Sequence, residues 1–161
     1  MIPTTPSFNG SSYLEFTTSS NLAVQSTFHV VFQPTHPSGV ILYSGNVTNN
    51  VDFFSISLVD SRIQFRFQLG SGTAMLIGPQ LALGEWHSVV ATRTGRSGTL
   101  EVNDAVVAGG SSPGTSSQLN AEGTLQVGGV TDFSSASRNL GIMEGFVGCI
   151  SAVQVRVLHS L

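Results

Sequence analysis

Asp52-Phe-Phe-Ser-Ile-Ser-Leu-Val-Asp-Ser-Arg-Ile-Gln-Phe-Arg-Phe-Gln-Leu-Gly70 is the stretch from which the fold can be worked out. Two runs of alternating apolar and polar residues flank Asp60-Ser61, a pair that reads as a two-residue hairpin loop. Such a loop sets Val59 against Arg62, and the register follows: Leu58 opposite Ile63, Ile56 opposite Phe65, Phe54 opposite Phe67 and Asp52 opposite Leu69. Leu58, Ile56, Phe54 and their partners then share one apolar face turned to a core. The alternate pairs, Ser57 with Gln64, Ser55 with Arg66 and Phe53 with Gln68, are expected to face solvent or a wet groove. A slip of one residue would turn Phe65 and Phe67 outward, so the register is well specified. Asp52 falls at the open end of this buried hairpin, beside the backbone of Leu69, and that corner is the leading candidate for a functional site.

Outward from the hairpin, the rest of the chain repeats the pattern. Short apolar-alternating segments occur at Tyr13–Phe16, Phe28–Phe32, Val40–Tyr43, Thr73–Ile77, Trp86–Thr92, Thr99–Val102, Ala105–Ala108, Thr124–Val127 and Phe146–Val157. Pro34 is expected to end the second of these, and Gly78-Pro79 to break the chain after Ile77. Gly45–Val51, Gly109–Gly123 and Val130–Gly145 read as loops. About eleven strands at this spacing, with 18 glycines and no sustained helical period, define an all-β, two-sheet antiparallel sandwich. With 161 residues the expectation is a single domain, 1–161, large enough to bury most of its apolar surface.

Composition narrows the function. The formal net charge is −3, and the six basic residues are all arginine, well separated in sequence. That argues against nucleic acid and against heparin, both of which call for clustered cations. No apolar run approaches the roughly 18 residues of a membrane-spanning helix. The start, Met-Ile-Pro-Thr-Thr-Pro, has no basic region or apolar stretch of the signal-peptide kind. Asn9-Gly-Ser and Asn46-Val-Thr are glycosylation sequons, which lean toward a secreted origin. A module excised from a larger secreted protein is the expectation that joins these points.

The chain offers little for catalysis. Glu101 and Asp104 are the nearest thing to a carboxylate pair, but they read better as a solvated hairpin around Asn103-Asp104. His87 has no Gly-x-Ser-x-Gly partner and reads as a strand histidine with a structural hydrogen bond. Cys149, the single cysteine, can form no internal disulfide and has no basic neighbour to activate it. His29, His36 and His159 lack zinc-site spacing, and Gly128-Gly129 is followed by no phosphate-loop lysine. An enzyme is therefore not expected. The Asp52 corner differs, because calcium takes six to eight oxygens and mixes carboxylates with carbonyls. Asp52 offers the carboxylate, Leu69 a carbonyl, and the Gln118-Leu119-Asn120 end of the long loop can add more.

Six blocks in order resemble the laminin G-like family across nearly the whole chain. They are Val-Ile-Leu-Tyr-Ser-Gly-Asn (40–46), Asp-Phe-Phe-Ser-Ile-Ser-Leu-Val-Asp (52–60), Gly-Glu-Trp-His-Ser-Val (84–89), Gly-Thr-Leu-Glu-Val-Asn (98–103), Leu-Gln-Val-Gly-Gly-Val (125–130) and Gly-Phe-Val-Gly-Cys-Ile (145–150). The stretch from Gly110 to Gly129 looks most like the agrin and perlecan modules of that family. The resemblance implies a jelly-roll sandwich of the laminin G-like, concanavalin-like kind, placed in the extracellular matrix or at the cell surface. It also implies a rim calcium site, whose matching positions here are the Asp52 side chain, the Leu69 carbonyl, the Gln118 carbonyl and the Asn120 side chain. Asn120 stands where agrin-type modules carry Asp, which predicts weaker binding. The family's partner for the cysteine at 149 is absent. The function implied is calcium-dependent recognition of an acidic glycan or a protein receptor. The rival is a spacer domain whose calcium only steadies loops.

Overall fold

The computed structural model describes residues 5–18, 24–45, 52–121 and 123–158. The hairpin adopts the register its sequence dictates. β5 (Phe53–Val59) and β6 (Arg62–Gln68) pair Val59 with Arg62, Leu58 with Ile63, Ile56 with Phe65 and Phe54 with Phe67. Asp60 and Ser61 both have positive φ, 49° and 63°, the signature of a type I′ turn whose twist matches the strands. Serine is an unusual residue there. Its conformation is fixed by neighbours: Ser61 N–H donates to the Pro37 carbonyl at 2.8 Å, and its own carbonyl accepts from Leu81 N–H at 2.7 Å.

The other strands are β1 (Ser7–Asn9), β2 (Leu14–Thr18), β3 (Gln25–Pro34), β4 (Gly39–Gly45), β7 (Thr73–Gln80), β8 (His87–Thr94), β9 (Ser97–Val102), β10 (Ala105–Ser111), β11 (Gly123–Val127) and β12 (Val147–Leu158). They form two six-stranded sheets with antiparallel ladders. Sheet I runs β1-β12-β3-β8-β9-β10 and sheet II runs β2-β11-β4-β5-β6-β7. The inner faces interlock: Phe28 of sheet I stacks on Phe54 of sheet II with ring centroids 4.0 Å apart, and Phe28, Phe32, Phe54, Phe65 and Phe67 are fully buried. This is the sandwich expected from strand spacing.

Three expectations need correction. β7 runs straight through Gly78-Pro79. It is an edge strand of sheet II, where a proline loses no ladder bond. The 130–145 segment is not all loop, because α1 (Phe133–Leu140) lies within it. Its signals are local: Asp132 caps the first turn by accepting Ser134 N–H, and Gly141 ends the helix at φ 73°, a conformation that favours glycine.

The third correction follows from where α1 lands. Phe53, Ser55 and Ser57 are not solvent-facing; they are 1 %, 0 % and 1 % exposed. Val130, Ala136 and Leu140 pack with Val40, Tyr43 and Phe53 into a second buried cluster on the outer face of sheet II. Arg66, the partner of Ser55, is half-buried and donates to the Asn139 carbonyl at 3.5 Å and to Gln64 Oε1 at 2.9 Å. A cation at the helix C-terminus also suits the helix dipole. The polar face of the hairpin is the floor of a helix. Asn46 and His159 lie outside the described residues.

Candidate functional site: the Asp52 rim

The last cross-strand pair of the hairpin at its open end is Phe53 with Gln68, so Asp52 and Leu69 are the next residues out on either side. Both are buried, each 4 % exposed. The connection after β10 lies along this rim because two of its residues belong to the core. Leu119 and Ala121 are fully buried, whereas Gln118 and Asn120 alternate with them and are exposed. The stretch is thus extended, with Gln118 and Asn120 on the solvent side. Asn120 N–H donates to Asp52 Oδ2 at 2.8 Å. Farther along, Ser71 Oγ donates to the Pro113 carbonyl at 2.8 Å and accepts from Ser116 N–H at 3.3 Å.

The second carboxylate oxygen, Oδ1, points toward Gly70. A side chain at Gly70 (φ 108°) would begin 3.7 Å from Asp52 Oδ1 and 3.6 Å from Ser116 Oγ. A side chain there would thus meet both oxygens at ordinary contact distance, and Asp52 Oδ1 makes no hydrogen bond among the described residues. Of the four sequence-predicted positions, Asp52 and Asn120 are joined through the Asn120 backbone N–H, and Leu69 follows the last hairpin pair on the opposite strand from Asp52. Gln118 is two residues from Asn120 on the same exposed side.

Sequence reasoning missed Arg93. It is fully buried on β8 and points inward, continuing the series His87, Val89, Ala91. Its Nη1 donates to the carbonyls of Gly95 at 2.9 Å, and of Val24 and Ser117 at 3.4 Å. Burial pushes its pKa down to about 10, and the charge of Asp52 acts in the opposite direction. The group stays cationic at neutral pH. Arg93 thus ties the 112–121 connection to β8 and places a positive charge within the field of Asp52. The signal was present in the sequence, since the strand's alternation puts Arg93 in phase with Val89 and Ala91.

Chemically, one carboxylate oxygen without a hydrogen bond among the described residues, near neutral oxygens, suits a hard cation. Among the described residues no three His, Cys, Asp or Glu cluster, so any cation here would rely on a single carboxylate and neutral donors. The other candidates are structurally engaged or exposed. His87 Nε2 donates to the Ala82 carbonyl at 2.8 Å, which leaves Nδ1 to accept from Asn103 Nδ2 at 3.1 Å. Asn103 and Asp104 form the β9–β10 turn at φ 50° and 68°. Gly128 (φ 83°) packs against the ring of Phe8. His36 lies 3.8 Å from Glu144 at the surface, and Cys149 is a half-buried free thiol.

The family model described as "Laminin G domain" matches residues 32–158, and the chain belongs to that family. It is 38 % identical over 155 residues to the mouse basement membrane-specific heparan sulfate proteoglycan core protein, covering 94 % of this chain and 4 % of that protein. Human pikachurin is 37 % identical over 135 residues, covering 82 % of this chain and 13 % of that protein. The chain therefore spans only a small part of the curated relatives it matches. In structure it is similar to mouse laminin α1 domains LG4-5, with a TM-score of 0.82 at 23 % identity over 97 % of this chain and 44 % of that one. The chain is an extracellular laminin G-like sandwich of the matrix and cell-surface kind, a recognition or spacer module.

Proposed function

We propose that residues 1–161 act as one module whose Asp52 rim binds calcium and, through it, an acidic glycan or a protein receptor. The observation that carries this reading is the division of labour at Asp52. Oδ2 is held by Asn120 N–H at 2.8 Å, while Oδ1 lies beside Gly70 and makes no hydrogen bond among the described residues. The residues that would hold the ion are the Asp52 carboxylate, the Leu69 and Gln118 carbonyls and the Asn120 side chain. Four protein donors leave about two to four positions for waters or a ligand oxygen, given calcium's usual number. Only Asp52 brings a full charge, and Arg93 works against the ion. Affinity in the weak extracellular range, about 10⁻⁴–10⁻³ M, follows. The reading assigns no catalysis.

A second reading has its own observation. Asp52 already serves as acceptor for Asn120 N–H and as a counter-charge for buried Arg93, which would suffice in a spacer domain. Calorimetric titration with calcium separates the two. The wild type should bind in the range above, Asp52→Asn should lose binding while keeping an acceptor for Asn120 N–H, and Asn120→Asp should tighten it by adding a charge. Calcium binding unchanged in Asp52→Asn refutes the site. Calcium binding without any effect on acidic-saccharide or receptor binding leaves the module as a spacer.

A further inference from the structure

The outer face of sheet I carries an arrangement of side chains separate from the Asp52 rim. Neither buried cluster extends over it among the described residues: one fills the sandwich and the other lies on sheet II. Across this face the register lines up Arg156 with Thr27, Thr92 and Thr99, a cation followed by three hydroxyls on successive strands. The next row is Gln154, His29, Val90 and Glu101. Thr27, His29, Val90, Gln154 and Arg156 line a shallow cavity of about 220 Å³.

Arg156 is distinctive among the six arginines. Arg62, Arg66, Arg93 and Arg96 each donate to a backbone carbonyl. The guanidinium of Arg156, exposed on β12, makes no hydrogen bond or ion pair among the described residues, nor do the hydroxyls of Thr27, Thr92 and Thr99. The Arg138 side chain is likewise without one among the described residues, but it sits on the last turn of α1 and does not line this cavity. Glu101 is the one carboxylate in these two rows. It is two strands from His29, at a spacing near 4.8 Å per strand, with Val90 between.

From this we infer that the face binds a saccharide bearing a single carboxylate, such as a uronic acid unit. The planar guanidinium of Arg156 can take the carboxylate through two parallel hydrogen bonds. The threonine row, Gln154 and the Nδ1 of His29, whose Nε2 is bonded to Ser88 Oγ at 3.3 Å, offer donors and acceptors to ring hydroxyls, and Val90 gives an apolar floor for a sugar's C–H face. One unpaired arginine on this face, in a protein of net charge −3, suits one carboxylate and not a sulfated polyanion. A shallow, preformed face of this kind implies affinity on the order of millimolar.

The test is a ¹⁵N-resolved NMR titration of the whole chain, in chelator, with a glucuronate-terminated tetrasaccharide and with its methyl ester. Shifts are expected at Thr27, His29, Thr92 and Gln154 with the acid and not the ester. Arg156→Ala should weaken binding about ten- to hundredfold, as for a lost charge-assisted hydrogen bond. Arg156→Lys should restore part of it, and Asp52→Asn should leave it unchanged. Absence of shifts at these residues, equal binding of the ester, or undiminished binding by Arg156→Ala overturns the proposal. Binding that requires calcium and Asp52 but not Arg156 also overturns it, and assigns the saccharide to the rim.

Discussion

The two outer faces of this sandwich begin from the same kind of sequence and end differently. On sheet II the outward positions of the central hairpin are Phe53, Ser55 and Ser57, with Gln64, Arg66 and Gln68 opposite. On sheet I they are Thr27 and His29 of β3, Ser88, Val90 and Thr92 of β8, and Gln154 and Arg156 of β12. Both sets are largely polar, as one-sided antiparallel sheets usually are. Yet Phe53, Ser55 and Ser57 are buried under α1 and its flanking segments with their β6 partners half-buried, whereas no residue of the sheet I set is buried and Gln154 and Arg156 are exposed. Alternation reports which residues share a face. It does not report whether a later part of the chain returns to cover that face.

The sharpest way to break this comparison is to empty one position on each face. Phe53→Ala should destabilise by about 3–5 kcal/mol, the usual result of truncating a buried aromatic. Gln154→Ala, exposed on sheet I, should stay within about 0.5 kcal/mol. Equal denaturation midpoints for the two variants would show that α1 does not seal sheet II.

Arg66 gives an intermediate effect. As a solvated side chain its loss would be negligible. Bonded to Gln64 and the Asn139 carbonyl and half-buried, it should cost about 1.5–3 kcal/mol on truncation to alanine, the range for a hydrogen bond involving a charged group. Hydrogen-exchange protection across Phe133–Leu140 should fall with it, because Arg66 braces the helix end. Unaltered protection there would separate Arg66 from the helix.

The smallest effect is a pH dependence at the other end of α1. The Asp132 pKa is lowered first by the Ser134 hydroxyl and then by the Ser134 backbone N–H. A carboxylate depressed in the folded state contributes stability that is present above its ordinary value near 4. That contribution is lost as pH falls through the lowered value. Asp132→Asn keeps a capping oxygen without the titration, so its melting temperature should decline less below about pH 4 than the wild type's. Parallel acid profiles would remove Asp132 from the helix cap.

How much was legible in the residues differs between fold and site. The hairpin register from Phe53 to Gln68 could be read outright, because side-chain period and turn length leave no second solution that buries Phe65 and Phe67. At the rim, Asp52 and Leu69 could be placed side by side by extending that register. The approach of Asn120 could not, since it depends on Leu119 and Ala121 finding room in a core more than sixty residues distant along the chain. Arg93 was legible in principle: it is in phase with buried Val89 and Ala91, and only the expectation that arginine faces water concealed it. The carbonyls of Val24, Gly95 and Ser117 that accept its protons are joined by tertiary structure alone.

By itself, then, the sequence determined the all-β class, the strand pairing of the central hairpin and the acidic residue at its open end. These rest on local periodicity and turn geometry, which act over a few residues. Tertiary structure decided that Ser55 and Ser57 are buried, that a guanidinium shares the field of Asp52, and that Arg156 stands in line with three threonines from three other strands. Each depends on which distant segments meet. That is set by how two sheets and one short helix pack together, and no local pattern encodes it.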